Sequence, residues 1–173
     1  MRKLRNEELN RINVTEFKNS EKTPLIIILD NVRSLNNIGS IFRTSDAFRV
    51  ESVYLCGITA CPPHKDIQKT ALGATETVDW RYFKNTVEAV REAAEKGYGT
   101  YAIEQAEGSI LLHDFKPQTR GMAVVLGHEV NGVEQAVIEE CLGCIEIPQY
   151  GSKHSLNISV CAGIVIWDLF GKL

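Results

Sequence analysis

The chain has 173 residues, 44% of them hydrophobic and 24% charged, with a formal net charge of −3. That length suits one domain with a sizeable core and no covalent staples. The charge excludes a global basic field for nucleic acid but leaves room for a local basic surface.

No apolar run approaches the roughly 20 residues that span a bilayer, so no membrane contact is expected. The opening MRKLRNEELN lacks the apolar core of a secretory signal. The expected setting is the cytoplasm, where five cysteines read as reduced thiols.

Residues 1–23 are polar, with Leu4, Leu9 and Ile12 spaced for a short amphipathic helix or arm. PLIIILD (24–30) is a continuous apolar run, the pattern of a strand buried on both faces of a parallel sheet. Asn36 and Asn37 are placed to cap a following helix whose stripe is Ile38, Ile41, Phe42, Ser45 and Phe48. SVYLCG reads as the second strand, HKDIQKTALGA as a short helix and TVDWRYF as the third strand.

NTVEAVREAAEKG is a helix with Gly97 where a C-terminal glycine belongs. TYAIEQ, GMAVVLG and CIEIP supply three more strands, and EQAVIEECLG a helix between the last two. The final helix is almost wholly apolar, broken only by Gly163 and Asp168 between Val160 and Phe170, so burial on most sides is expected. Ser155, Asn157 and Ser159 stand in its opening turns, with Ser155 the expected cap and Ser159 bonding locally.

Strands alternating with helices define an α/β domain with a mostly parallel sheet flanked by helices. The division is an arm over 1–23 and one domain over 24–173. In such sheets ligands sit beyond the carboxyl ends of the strands. Those ends read DNVRSLNNIG, EQAEGS, LGHEVNG and IPQYGSKHS, rich in Gly, Asn and Ser. No GxGxxG follows a strand and no GxxxxGK[ST] is present, which disfavours an ordinary dinucleotide or phosphate loop. A flavodoxin-like signalling or nucleotide-binding domain would need an acidic cluster or a glycine-rich first loop, and has neither.

Cys141 and Cys144 form a CxxC that Cys61 and His64 could nominally complete as a zinc site. The CxxC reads instead as a helix end and a strand start, so no metal is expected. Local basic candidates are Arg2, Lys3, Arg5 and Arg11, then Arg33, Arg43, Lys65, Lys69 and Lys153.

Three of the loops together resemble the SpoU (TrmH-type) RNA methyltransferases of the SPOUT superfamily. Asn37-Ile38-Gly39-Ser40-Ile41-Phe42-Arg43 matches that family's Asn-x-Gly-x-x-x-Arg motif. Leu126-Gly127-His128-Glu129-Val130-Asn131-Gly132 is similar to its second motif, and Ile147-Pro148 through Ser155-Leu156-Asn157-Ile158-Ser159-Val160 to its third. Gln149 departs from the pattern, standing where methionine is common.

The resemblance implies a C-terminal trefoil knot (the SPOUT fold), a feature that the rarity of chain knots argues against. It also implies a homodimer, S-adenosylmethionine as methyl donor, and transfer to a ribose 2′-hydroxyl in tRNA or rRNA. It assigns catalytic roles to Arg43, Asn37, Glu129, Ser155 and Asn157, and donor contacts to Gly127, Ile147, Leu156 and Ile103. A guanidinium keeps its proton in water and is a poor proton acceptor, so Arg43 is expected to grip the phosphate beside the target ribose. The alternative is a non-catalytic RNA-binding module keeping the same fold.

Overall fold

The computed structural model describes the backbone of residues 1–173 and every side chain except that of Asn6. Seven strands form one sheet in the order β3-β2-β1-β6-β4-β7-β5. They are β1 (Thr23–Asp30), β2 (Val50–Cys56), β3 (Asp79–Phe83), β4 (Tyr98–Ile103), β5 (Ile110–Leu111), β6 (Gly121–Leu126) and β7 (Gly143–Glu146). Every paired neighbour runs parallel. All the carboxyl ends therefore open on one edge of the sheet.

The apolar run in β1 is divided between two cores. Leu25, Ile27 and Leu29 pack on one face and Ile26 and Ile28 on the other, which is the alternation of a strand covered on both sides. The first face carries α2 (Leu35–Ala47), α3 (Lys65–Ala71), α4 (Ala74–Thr77) and α7 (Ile158–Phe170). Phe17, from α1 (Val14–Asn19), is buried in the same core. The second face carries α5 (Thr86–Glu95) and α6 (Gln135–Glu140).

The chain builds outward from β1 through β2 to β3, then returns to build β4, β6, β7 and β5 on the other side. The reversal falls at β1 and β6, where an open α/β sheet leaves a ligand crevice. There Asp30 is fully buried. It accepts hydrogen bonds from Thr86 Oγ1 (2.6 Å), Asn31 Nδ2 (3.0 Å) and the Glu134 N–H (3.0 Å), which ties β1, α5 and the β6–α6 loop together.

Four expectations need correcting. Ser34, not Asn36 or Asn37, caps α2, its Oγ accepting the Asn37 N–H at 3.3 Å. Asn157, not Ser155, caps α7, its Oδ1 accepting the Ser159 N–H at 2.9 Å. In both cases the cap is the last non-helical residue, with an oxygen within reach of the second or third helical N–H. β5, only two residues long, carries too little pattern to be seen in a sequence.

The fourth concerns α7. Ile158, Ala162, Val165, Ile166 and Leu169 are buried, but Val160 is 53% and Trp167 65% exposed, with Ile164 and Phe170 also in the open. One apolar stripe of the helix is thus largely open to water, with Trp167 and Phe170 touching Phe48 at its far end. Cys141 ends α6 and Cys144 lies in β7, as expected.

Candidate functional site

Three loops at the carboxyl edge, 103–107, 126–135 and 146–158, enclose a cavity of about 790 Å³. That is within the usual range for small-molecule sites. Its charged lining is one-sided: Glu104, Glu107, Glu129 and Glu146, with no lysine or arginine. Such a lining fits a cationic ligand and opposes one rich in phosphate.

The 126–135 loop is held by close backbone approach. A Cβ on Gly127 would sit 2.2 Å from the Gly132 carbonyl carbon and the Val133 nitrogen. Gly132 has φ +69°, and a Cβ there would lie 2.2 Å from Glu104 Oε2. That oxygen also accepts the Val133 N–H at 3.0 Å, while Oε1 accepts the Gln105 N–H at 2.9 Å. His128 Nδ1 accepts the Val130 N–H at 3.0 Å, closing the turn between these contacts. Both glycines are needed because backbone and carboxylate occupy the space a side chain would take.

From this loop Glu129 reaches the start of α2. Its carboxylate accepts the Arg33 N–H (3.1 Å), the Ser34 N–H (2.9 Å) and Asn37 Nδ2 (3.3 Å). Burial alone would push this carboxyl upward. The backbone N–H groups of Ser34, Glu129 and Arg33 and the Asn37 amide outweigh it and hold the group below the usual carboxylate range. Glu129 is thus an anion at neutral pH.

Asn37 Oδ1 in turn accepts from Asn157 Nδ2 at 3.3 Å. Asn157 is committed on both sides, its oxygen to the α7 cap and its nitrogen to α2. Three chain segments, about 90 and 30 residues apart in sequence and so joined only by folding, form one hydrogen-bonded set. The segment that enters α7 is exposed rather than buried, with Ser155, Leu156 and Asn157 at the cavity rim. The desolvation cost of buried polar groups therefore does not arise there.

Gly127, Ile147, Leu156 and Ile103 all line the cavity, as do Glu129, Ser155 and Asn157. Asn37 joins through its bonds to Glu129 and Asn157. Arg43 does not line the cavity. It is exposed, six residues past Asn37 and hence about 9 Å further along α2. Among the described residues it has no ion-pair partner.

Helices α2 and α7 run side by side. Asn37 meets Asn157 at one end, and Phe48 packs against Trp167 at the other, ring centroids 5.6 Å apart. Arg43 is exposed at a position along α2 between these two contacts.

Sequence reasoning missed Glu104, Glu146 and Cys161. A carboxylate following a buried strand at the ligand edge was the available signal for Glu104. Cys161 lines the cavity. Burial pushes its thiol up to about 12, the Glu104 charge adding to the effect, so it is a protonated thiol at neutral pH and no nucleophile. Cys61 packs on the α2 side of the sheet and Cys141 and Cys144 on the α5 side, so they share no metal site. His64 is occupied as the α3 cap, its Nδ1 accepting the Asp66 N–H at 3.2 Å. Among the described residues no group of three or more His, Cys, Asp or Glu is gathered for a metal, and no helix is long and apolar enough to cross a membrane.

A parallel α/β sheet with a ligand cavity beyond the carboxyl ends of β4, β6 and β7 defines a broad class of small-molecule-binding proteins. The comparison with known families narrows it. The family model described as the SpoU rRNA Methylase family matches residues 24–167, and the chain belongs to that family.

It is 32% identical over 150 residues to the 23S rRNA (guanosine-2′-O-)-methyltransferase RlmB of Neisseria meningitidis, covering 87% of this chain and 59% of that protein. The chain likewise spans 65% of the RlmB of Vibrio parahaemolyticus, so it corresponds to under two thirds of these relatives. Its fold is similar to that of the A. aeolicus TrmH/SpoU tRNA modifying enzyme, with a TM-score of 0.81 and 26% identity over 92% of this chain and 80% of that one. It is also similar to the AdoMet-bound rRNA methyltransferase of Sinorhizobium meliloti, with a TM-score of 0.79 and 25% identity over 86% of this chain and 56% of that one.

Proposed function

We propose that this chain is an S-adenosylmethionine-dependent methyltransferase acting on a ribose 2′-hydroxyl of tRNA or rRNA. The observation that carries the reading is the Glu129–Asn37–Asn157 set, standing at the rim of an acid-lined cavity that suits a cationic donor. Family membership and the activities named for its relatives point the same way.

The donor supplies an electrophilic methyl on a sulfonium. Gly127, Ile147, Leu156 and Ile103 form the floor on which its adenosine rests, and the glutamates of the lining offset its positive charge. Asn157 and Ser155 face the ribose, Asn157 oriented by its cap bond and by Asn37. As the ribose oxygen forms its bond to carbon the S–C bond breaks, and the hydroxyl proton passes to solvent. Charge partly cancels in this step, so a water-poor pocket does not oppose it. Alignment is the main service of these residues. Arg43 holds the phosphate beside the target ribose and polarises the hydroxyl, and Glu129 keeps the α2 entry fixed.

The reading extends to the whole assembly. Residues 24–173 form the methyltransferase domain and 1–23 an arm whose basic residues add RNA contacts, in the cytoplasm where RNA and donor meet. Arg33, Lys65, Lys69 and Lys153, all exposed, supply further phosphate contacts. A C-terminal trefoil knot belongs to it. Two strands separate β7 from β1, yet α7 packs beside α2. The connecting segment thus crosses the ends of β4 and β6, tied on its way by the bond from Gln105 Nε2 to the His154 carbonyl (2.9 Å). A homodimer belongs to it as well, supported by the open apolar residues of α7.

The test is mass spectrometry of RNA nucleosides from cells with and without the gene, paired with transfer of labelled methyl to RNA from the deletion strain. A missing 2′-O-methylnucleoside, restored by the purified protein, names the substrate. RNA binding without transfer would instead establish the non-catalytic module. Arg43→Ala should lower transfer by about 10²-fold or more while donor affinity, measured by calorimetry, is kept.

A further inference from the structure

Between β7 and α7, Tyr150 holds its side chain 94% exposed. A scattered exposed hydrophobe is ordinary, so its placement is what matters. Gln149, the preceding residue, lines the cavity. Four residues after Tyr150 the His154 carbonyl is held by Gln105, so the short span carrying Tyr150 leaves the cavity lining at Gln149 and is tied back to its rim at His154.

The other open rings near helices and strand edges have partners. Tyr82 donates its hydroxyl to the Gly57 carbonyl (3.0 Å), and Trp167 and Phe170 both pack on Phe48. No hydrogen bond or ring contact of this kind engages Tyr150 among the described residues. Val130, itself in the cavity lining, is 80% exposed on the turn closed by His128. Lys153 stands exposed on the same segment as Tyr150.

We infer that Tyr150 is the stacking surface for the nucleobase of the nucleotide being methylated. The inference rests on the proposed RNA ribose methylation and adds to it the residue that receives the base. A ribose brought to Asn157 must carry its base out of the RNA stack, and that base needs a new planar or apolar neighbour. Single-stranded RNA is held in this way on aromatic side chains. Tyr150 offers the ring at the rim, with Val130 as an apolar wall and Lys153 as a cation for the neighbouring phosphate. Stacking tolerates any base, since every base has a π face. Tyr150 therefore sets the position of the target nucleotide rather than its identity.

The experiment compares unsubstituted protein, Tyr150→Ala and Tyr150→Phe for transfer of labelled methyl to total RNA from a deletion strain, with S-adenosylmethionine binding followed by calorimetry. Tyr150→Ala is expected to raise the KM for RNA by about tenfold or more with donor affinity unchanged, and Tyr150→Phe to restore most of that loss. An unchanged KM in Tyr150→Ala overturns the inference and leaves the methyltransferase reading standing. Loss in Tyr150→Phe equal to that in Tyr150→Ala overturns it too, because the hydroxyl and not the ring would be the contact. Loss of donor affinity in Tyr150→Ala overturns it by making Tyr150 a prop of the donor cavity. No transfer by the unsubstituted protein overturns the functional reading and this inference with it.

Discussion

At Gly39 two helices touch. A Cβ there would lie 2.1 Å from Thr70 Oγ1, 2.3 Å from the Ile67 carbonyl oxygen and 3.0 Å from the Ala71 nitrogen. Thr70 can rotate away, but the backbone of α3 cannot, so Gly39→Ala must part the two helices. We expect a loss of about 1–3 kcal/mol, read from the urea midpoint. The purpose of this motif glycine was not legible in the sequence, since its neighbour lies some thirty residues on and nothing in the motif names it.

Glu129 is the second residue whose role needed the fold. Its carboxyl is held low in the folded chain. The stability this gives is therefore fully present above the unfolded value near 4.5, and is lost as pH falls through the lower folded value. Glu129→Gln should flatten that acid limb of the unfolding midpoint against pH. A slope unchanged by the substitution would mean the carboxylate contributes nothing there.

At the scale of elements, the start of α7 serves two ends that substitution can separate. Asn157→Asp keeps an oxygen for the cap, and aspartate is as good a capping residue as asparagine. It replaces the Nδ2 donor with an acceptor facing Asn37 Oδ1. Stability should then hold while methyl transfer falls. Asn157→Ala should lose both, at a cost of about 1 kcal/mol for the cap. Urea unfolding and a transfer assay on the same preparations separate the two.

Legibility differed by element for physical reasons. β1, β6 and the α5 region were readable because burial on two faces or on one stripe leaves a plain pattern in the residues. Asn37, Glu129 and Asn157 were found through their motifs, and the fold brings them together. The faces of α7 were not readable. A helix apolar on nearly every side has no period from which to tell a buried stripe from an open one. Arg43 shares that difficulty: the sequence marks it as projecting from the core, and its distance from the Asn37–Asn157 pair follows only from the helix.

For the whole molecule, this open stripe and the isolated guanidinium pose one question. Contiguous exposed apolar surface marks an interaction site more often than a free surface. Val160, Ile164 and Trp167 lie on one side of α7, with Arg43 on the adjoining α2. A two-fold pairing through this surface is self-complementary, as closed dimers require, and would set the α2 faces of two copies together. Arg43, remote from Asn157 within one chain, would then work beside a site completed across the interface.

The expected result in sedimentation at micromolar concentration is a dimer for the unsubstituted chain and a monomer for Ile164→Glu, which places a charge in the stripe at a position already open to water. Because Ile164 is exposed, the fold should survive, as judged by circular dichroism. Donor binding should survive with it, since the cavity is built within one chain. RNA methyl transfer should fall in parallel with the dimer. Full transfer by a folded monomer would show that Arg43 reaches its phosphate without a second copy.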